Sequence, residues 1–137
     1  MTLILSKKYN PLFDSKARYF IITGGRGSGK SFAVTVFLTL LTMTKGIRIL
    51  FTRFTMTSAH LSIIPEFLEK IGLLGFDEVF SINKKEVLNT KNNSDILFRG
   101  IRTSAGNQTA SLKSLQGIST WVLDEAEELV DENIFDT

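Results

Sequence analysis

The stretch Gly24-Gly25-Arg26-Gly27-Ser28-Gly29-Lys30-Ser31 holds four of the ten glycines of the 137-residue chain. Tyr19–Thr23, which precedes it, is short, apolar and rich in β-forming residues. Phe32–Leu38, which follows it, contains no turn residue. A strand, a tight glycine loop and a helix are the setting that a phosphate-binding loop requires. The sequence therefore predicts a phosphate site where this helix begins.

This glycine loop, residues 24–31, matches the pattern G-x-x-x-x-G-K-[ST] in full. Glycines allow backbone N–H groups to surround phosphate oxygens, and the helix N-terminus adds partial positive charge. In this pattern Lys30 reaches the β- and γ-phosphates, and the Ser31 hydroxyl binds Mg²⁺. The predicted cofactors are ATP and Mg²⁺, and the predicted nucleotide-binding residues are Gly24, Gly25, Arg26, Gly27, Ser28, Gly29, Lys30 and Ser31.

The alternative for the same residues is a simple glycine turn before a helix. From average residue usage, the odds that this pattern occurs by chance in a chain of this length are roughly one in a few hundred. The dinucleotide pattern G-x-G-x-x-G is not met, because Lys30 stands at the third glycine position when the pattern starts at Gly25. The phosphate loop is therefore the favoured interpretation.

A second candidate site follows the apolar segment Thr120–Leu123, where Asp124 and Glu125 stand side by side. Ligands bind at the carboxyl ends of parallel strands. We expect Asp124 to hold Mg²⁺ through water, and Glu125 to orient and deprotonate the attacking water. The alternative is an ordinary solvated helix start, where acidic residues are also favoured.

Several cations could complete this site. Arg26, inside the loop, could stabilise charge on the γ-phosphate in the transition state, or could be an exposed loop charge. Arg53 follows the second predicted strand and is expected at the same sheet edge. Arg99, Arg102 and Lys113 could contact DNA or a neighbour's ATP, with plain surface charge as the alternative.

Composition excludes several classes of protein. A chain that is 43% hydrophobic with eleven Phe can form a core and is not disordered. The absence of cysteine excludes disulfides and thiolate metal sites, and fits a reducing cytosol. The net charge of +2 is too small to indicate nucleic acid binding by itself. The longest near-apolar run, Phe32–Met43, is too short to span a bilayer.

Alternating strand and helix patterns predict an α/β fold, one domain with a mainly parallel sheet between helices and a small antiparallel insertion. The predicted strands are Tyr19–Thr23, Arg48–Thr52 and Ser119–Leu123. The predicted helices are Lys30–Thr44, a second helix from Thr57 or Ser58 to Ile71, and a third that starts at Glu127. The predicted antiparallel insertion comprises Phe76–Asn83, Glu86–Asn89 and Asp95–Arg99.

Taken together, these motifs resemble the N-terminal ATPase region of phage terminase large subunits, the motors that package DNA. The residues that carry the resemblance are Asn10-Pro11, Arg18-Tyr19, GGRGSGKS (24–31), RILFTRFTMTSAHLS (48–62), Lys113–Gly117 and Trp121–Glu128. The loop alone is specific only for P-loop NTPases. Its combination with the two later motifs is much more specific.

The resemblance implies a P-loop NTPase fold of the RecA/ASCE-like type, with GGRGSGKS as Walker A and Asp124-Glu125 in Walker B. By the same resemblance Arg26 acts on the nucleotide in cis and Glu125 is the catalytic glutamate. It implies ATP hydrolysis that drives double-stranded DNA into a procapsid in the cytoplasm of the infected bacterial host. The implied partners are DNA, the portal, the small terminase subunit and further copies in a ring, with no membrane.

Family members are several times longer and carry a coupling motif and a nuclease domain after the acidic strand. Residues 1–137 therefore correspond to the N-terminal part of the ATPase domain, with an incomplete sheet and no nuclease domain. Two rival functions stay open. One is another P-loop NTPase, such as a helicase or a small-molecule kinase, and the other is a fragment that binds nucleotide without hydrolysis.

Overall fold

A computed structural model of the chain describes residues 6–25, 28–44, 46–53, 59–83, 85–101 and 115–125, with residues 59–62 described by their backbone alone. A short 3-10 helix spans Lys7–Tyr9. The α-helices are α1 (Pro11–Asp14), α2 (Lys30–Leu41) and α3 (Ala59–Leu73). The strands are β1 (Arg48–Arg53), β2 (Phe80–Ile82), β3 (Glu86–Asn89), β4 (Asp95–Gly100) and β5 (Thr120–Leu123).

The five strands form one mixed sheet in the order β2-β3-β4-β1-β5. β1 lies in the interior, parallel to β4 and to β5, whereas β3 is antiparallel to both β4 and β2. The predicted α/β class and the antiparallel insertion are confirmed. The insertion is also part of the main sheet, because β4 pairs with β1 from Arg48↔Asp95 to Arg53↔Gly100.

The hydrophobic core lies between one face of this sheet and helices α2 and α3. Side chains alternate along a strand, so Ile49 and Phe51 of β1 share a face with their partners Ile96 and Phe98. Phe51, Phe67 and Phe98 meet edge to face, with ring centroids 5.5 to 6.1 Å apart. The buried cluster comprises Leu38, Ile49, Phe51, Ile63, Ile64, Phe67, Ile71, Val79, Phe80, Val87, Ile96 and Phe98. Helices on the second face of the sheet stay a prediction.

Helix α2 ends at Leu41, three residues before the predicted end. It buries Thr35 and Thr39 together with apolar residues. The hydroxyl of Thr35 donates to the carbonyl of Ser31 at 2.7 Å, and that of Thr39 donates to the carbonyl of Thr35 at 2.8 Å. Because these hydroxyls are satisfied within the helix, α2 can be buried on several sides, as predicted.

The predicted strand Tyr19–Thr23 is wrong for this structure. The segment pairs with none of the five strands, and Tyr19 and Ile21 are 82% and 92% exposed. An apolar, β-forming composition favours a strand only where a neighbouring strand supplies backbone partners. The segment therefore leads to the glycine loop without being held in the sheet.

The remaining predictions for the sheet and α3 agree with the structure, apart from the differences that follow. β5 begins at Thr120, one residue after the predicted start at Ser119, and is half-buried at the edge of the described sheet. In α3, Ile64, Phe67 and Ile71 are buried as their spacing predicts, but Leu68 is exposed. The expected cap residues of α3 and the helix from Glu127 lie outside the described residues. Within the described ranges, no helix is long and apolar enough to cross a membrane.

Candidate functional site

The glycine loop leads directly into α2. Gly29 is the N-cap residue and adopts a left-handed conformation with φ 79°, which glycine tolerates without strain. Its lack of a side chain leaves the helix start without a side-chain cap, and the first turn of α2 contains no acidic residue. The first N–H groups of a helix have no partner within it and carry partial positive charge. This end of α2 therefore suits an anion.

The loop closes on its first glycine. A Cβ added at Gly24 would lie 2.9 Å from Oγ and 3.1 Å from Cβ of Ser28, so a larger residue would not fit without movement. The Nζ atom of Lys30 donates to the carbonyl oxygen of Gly24 at 3.2 Å. The first and the seventh residue of the motif are therefore in direct contact.

Tyr9 anchors the loop from outside. This residue is 6% exposed, and its hydroxyl donates to the carbonyl of Ser28 at 2.9 Å. Within the described residues, the Oγ atom of Ser28 is buried and has no hydrogen-bond partner. An unpaired buried hydroxyl costs about 1–3 kcal/mol, so an incoming acceptor such as a phosphate oxygen would satisfy it. Tyr9 was not among the predicted site residues, because a tyrosine outside the motif carries no signal for this contact.

Two further residues of the predicted site, Arg26 and Gly27, lie outside the described residues. Ser31, in the first turn of α2, has an exposed side chain. Of the other candidate cations, Arg99 donates from Nη1 to the carbonyl of Phe98 at 2.8 Å. Arg102 and Lys113 also lie outside the described residues.

The acidic pair follows β5 at the carboxyl end of the parallel strands. The backbone N–H of Asp124 donates to the carbonyl of Thr52 at 2.8 Å, which extends the β1–β5 pairing by one residue. The hydroxyl of Thr52 donates to the carbonyl of Val122 at 2.7 Å and accepts from Nε1 of Trp121 at 2.9 Å. The end of β5 is therefore fixed against β1 by backbone and side-chain bonds.

Arg53, the last residue of β1, contacts both acids. Its Nε atom donates to Oδ2 of Asp124 at 2.7 Å, and Nη2 lies 3.8 Å from Oε1 of Glu125. The Arg53 side chain is 15% exposed, whereas those of Asp124 and Glu125 are 26% and 45% exposed. This confirms the expectation that Arg53 reaches the same sheet edge as the acids.

Glu125 adopts a left-handed backbone conformation, with φ 54°. For a residue other than glycine this conformation costs about 1–2 kcal/mol, and it turns the chain sharply at the end of β5. Such strain is retained where the surrounding structure imposes it, often at functional sites.

Among the described residues, the hydrogen bonds and ion pairs of the glycine loop form one group and those of Asp124 form another. The loop contacts Tyr9, whereas Asp124 contacts β1. The predicted strand that would attach the loop to the sheet is not in the sheet, so this segment does not fix the loop beside Asp124. Within the part of the chain that the structure describes, the hydrogen bonds of the loop and those of Asp124 therefore do not join the two halves of the predicted site.

Comparison with protein families decides the assignment. The family model described as phage terminase large subunit matches residues 16–137, which include both the glycine loop and the acidic pair. The chain belongs to the phage terminase large subunit family. This confirms the resemblance drawn from the motifs and indicates a role in phage DNA packaging. No curated protein matches the chain. For a terminase large subunit, the loop and the acidic pair are the two candidate elements of the motor's chemistry.

Proposed function

We propose that the chain binds ATP with Mg²⁺ and hydrolyses it, and that in the terminase this hydrolysis drives double-stranded DNA into a procapsid. The observation that carries the proposal lies at the start of α2, where Lys30 bonds back to Gly24 and no side chain caps the helix. The first turn of α2 contains no acidic residue, and its first N–H groups have no partner within the helix. That is the chemistry that recognises a polyphosphate.

Phosphate binding follows from the donors present. The ammonium group of Lys30 donates a hydrogen bond to a neutral acceptor, the carbonyl oxygen of Gly24. A phosphate oxygen is the stronger acceptor, because its negative charge attracts the ammonium group and the carbonyl is neutral. The Ser28 hydroxyl and the first N–H groups of α2 add further donors. The Ser31 hydroxyl would then bind Mg²⁺ next to the phosphates.

The acidic pair supplies the second half of the chemistry. Asp124 would hold Mg²⁺ through water, as carboxylates do in nucleotide sites. When bound, the metal neutralises charge on the β- and γ-phosphates. Glu125, which has a left-handed backbone conformation directly after Asp124, would take the proton of the attacking water. Arg26 would stabilise the charge that develops on the γ-phosphate in cis.

The family assignment supports the partners. We infer that the protein acts on double-stranded DNA together with the portal and the small terminase subunit, as a ring of copies in the cytoplasm of the infected host. In such a ring a neighbouring subunit often completes the ATP site with a cation, and Arg99, Arg102 and Lys113 are the candidates. The isolated chain should accordingly hydrolyse ATP slowly.

Release of inorganic phosphate from ATP tests the proposal, measured with no DNA, with single-stranded DNA and with double-stranded DNA. Turnover that double-stranded DNA stimulates supports the packaging motor. Stimulation by single-stranded DNA together with strand separation would favour the rival helicase. Tight Mg²⁺-dependent ATP binding with no phosphate release under any condition would favour the nucleotide-binding fragment.

A further inference from the structure

Arg53 is the one described residue whose side chain reaches both acids of the pair. Its Nε atom is 2.7 Å from Asp124 and its Nη2 atom is 3.8 Å from Glu125. The guanidinium plane can serve two acceptors in a fixed geometry, which the single point charge of a lysine cannot do. The side chains of Arg53 and Asp124 are 15% and 26% exposed, so water competes less for this contact than for an ion pair on an open surface.

We propose that Arg53 is a positioning residue, which holds the carboxylates of Asp124 and Glu125 in the orientation that Mg²⁺·ATP requires. The proposal rests on the proposed function, because it assigns Asp124 to the metal. Partners that orient a metal-binding carboxylate typically raise metal affinity by about 10- to 100-fold. Within the described residues, the side-chain contact of Asp124 uses Oδ2, and we expect Oδ1 to accept from a Mg²⁺-bound water.

The backbone around Arg53 makes this orientation rigid. The carbonyl of Arg53 accepts from the N–H of Ile101 at 2.8 Å, which joins it to the end of β4. The N–H of Asp124 donates to the carbonyl of Thr52 at 2.8 Å, which joins it to β1. Both residues are held by neighbouring strands. When the side chain at position 53 is shortened, a small backbone shift therefore cannot restore its contact with Asp124.

The same strand provides a matched control. At the opposite end of β1, Arg48 makes a two-contact ion pair with Asp95, with Nε to Oδ1 at 3.1 Å and Nη2 to Oδ2 at 3.2 Å. Loss of the Arg48 side chain removes an arginine–aspartate pair between strands without touching Asp124. The R48A variant therefore shows what the loss of an arginine–aspartate pair from the sheet does when Asp124 is not involved.

The experiment measures the Mg²⁺ concentration that half-maximally supports binding of a fluorescent ATP analogue, with binding in EDTA as the metal-free reference. The 137-residue chain is compared with R53A, R53K, R53Q, D124N and the R53A/D124N double variant, with R48A as control. Circular dichroism and thermal unfolding show which variants are folded. R53K and R53Q keep the bulk of the side chain and serve if R53A is unstable.

We expect R53A to need about 10- to 100-fold more Mg²⁺ while its binding in EDTA and the response of R48A stay unchanged. R53K should lie between R53A and the unchanged chain. Because Arg53 acts through Asp124, the double variant should lose no more than D124N alone.

Two results would overturn the inference alone, provided that the unchanged chain binds nucleotide and K30A does not. One is an unchanged Mg²⁺ requirement in R53A and R53Q. The other is a lowered requirement, which would mean that Arg53 competes with the metal for Asp124. Absence of nucleotide binding by the folded, unchanged chain would instead overturn the proposed function, and this inference with it.

Discussion

The ammonium nitrogen of Lys30 lies 3.2 Å from the carbonyl oxygen of Gly24, so the seventh residue of the glycine loop bonds to the first. A lysine that folds back on its own loop keeps its ammonium group beside the loop backbone. The loop also requires glycine at position 24 in this form, because a Cβ there would collide with Ser28. Loop geometry and cation position are therefore linked at one residue.

Replacing Gly24 by alanine should disrupt the loop. The new Cβ would lie 2.9 Å from Oγ and 3.1 Å from Cβ of Ser28, so Ser28 or the backbone must move. Overpacking of this kind costs about 1–3 kcal/mol, which corresponds to about 10- to 100-fold weaker ATP binding if the cost falls on the phosphate-binding conformation. Titration with a fluorescent ATP analogue measures the change.

Gly72→Ala, in α3 and outside the glycine loop, is the control for this prediction. A Cβ at Gly72 would lie 3.6 Å from Oδ1 of Asp77, which is an ordinary contact, so the same chemical change adds no collision there. We expect G72A to bind the analogue nearly as well as the unchanged chain. Equal affinities for G24A and G72A would show that the close approach at Gly24 has no role in nucleotide binding.

Glu125→Gln separates binding from hydrolysis. Glutamine keeps the shape of the side chain but cannot take the proton of the attacking water. We expect ATP binding to persist while the rate of phosphate release falls by about 10²- to 10⁴-fold, the usual contribution of a general base. Glu78→Gln, an exposed change in a turn, is the control. If E125Q hydrolysed ATP at the unmodified rate, the base would be another acid, and Glu127 and Glu128 would be the next candidates.

Asp124→Asn should act on the metal instead. The amide removes the negative charge that would hold Mg²⁺ and also weakens the 2.7 Å contact with Arg53. We therefore expect the Mg²⁺ requirement for analogue binding to rise more in D124N than in R53A, with binding in EDTA unaltered. Asp77→Asn, an exposed position, controls for the loss of one charge. If the Mg²⁺ requirement of D124N were unaltered, Asp124 would not be a residue of the metal site.

Lys70 links α3 to the first turn of α2, and its loss should destabilise the fold. The residue is 3% exposed, and Nζ lies 3.3 Å from Glu66, 3.2 Å from Glu69 and 4.7 Å from the ring centroid of Phe32. Lys70→Ala removes the charge and the buried stem, so we expect a loss of about 1–3 kcal/mol in the free energy of unfolding by urea.

Lys70→Met distinguishes packing from charge, because it keeps the apolar stem. It should lose less stability than K70A. Lys91→Ala, in the exposed turn between β3 and β4, should change stability by no more than about 0.5 kcal/mol. A K70A variant as stable as K91A would mean that the Lys70 contacts contribute nothing to the fold.

Much of the sheet and the acidic pair could be predicted from sequence, because local signals determine them. The apolar residues of β1, the alternating residues of β3 and β4 and the acids after β5 each follow a short-range pattern. Arg53 was expected at the same sheet edge as Asp124 on the same ground, because it ends β1 and Asp124 follows the parallel strand β5.

Other features depend on which segments meet in space, and local patterns do not report that. Tyr19–Thr23 has a strand composition but no partner strand. Tyr9 reaches Ser28 across 19 residues, and nothing in its own neighbourhood marks it. The parallel pairing of β4 with β1 joins residues 47 apart in sequence, which made an integral strand resemble part of a separate insertion.

ATP binding by the glycine loop is tested most directly by the affinity of Mg²⁺·ATP for the unchanged chain and for Lys30→Ala, measured by isothermal titration calorimetry. K91A, which removes an exposed lysine outside the loop, is the control. We expect binding by the unchanged chain and by K91A, and loss of most of that affinity in a folded K30A variant, because the cation that faces the phosphates is gone. Equal affinities for all three proteins would contradict this prediction and would leave the glycine loop as a turn before a helix.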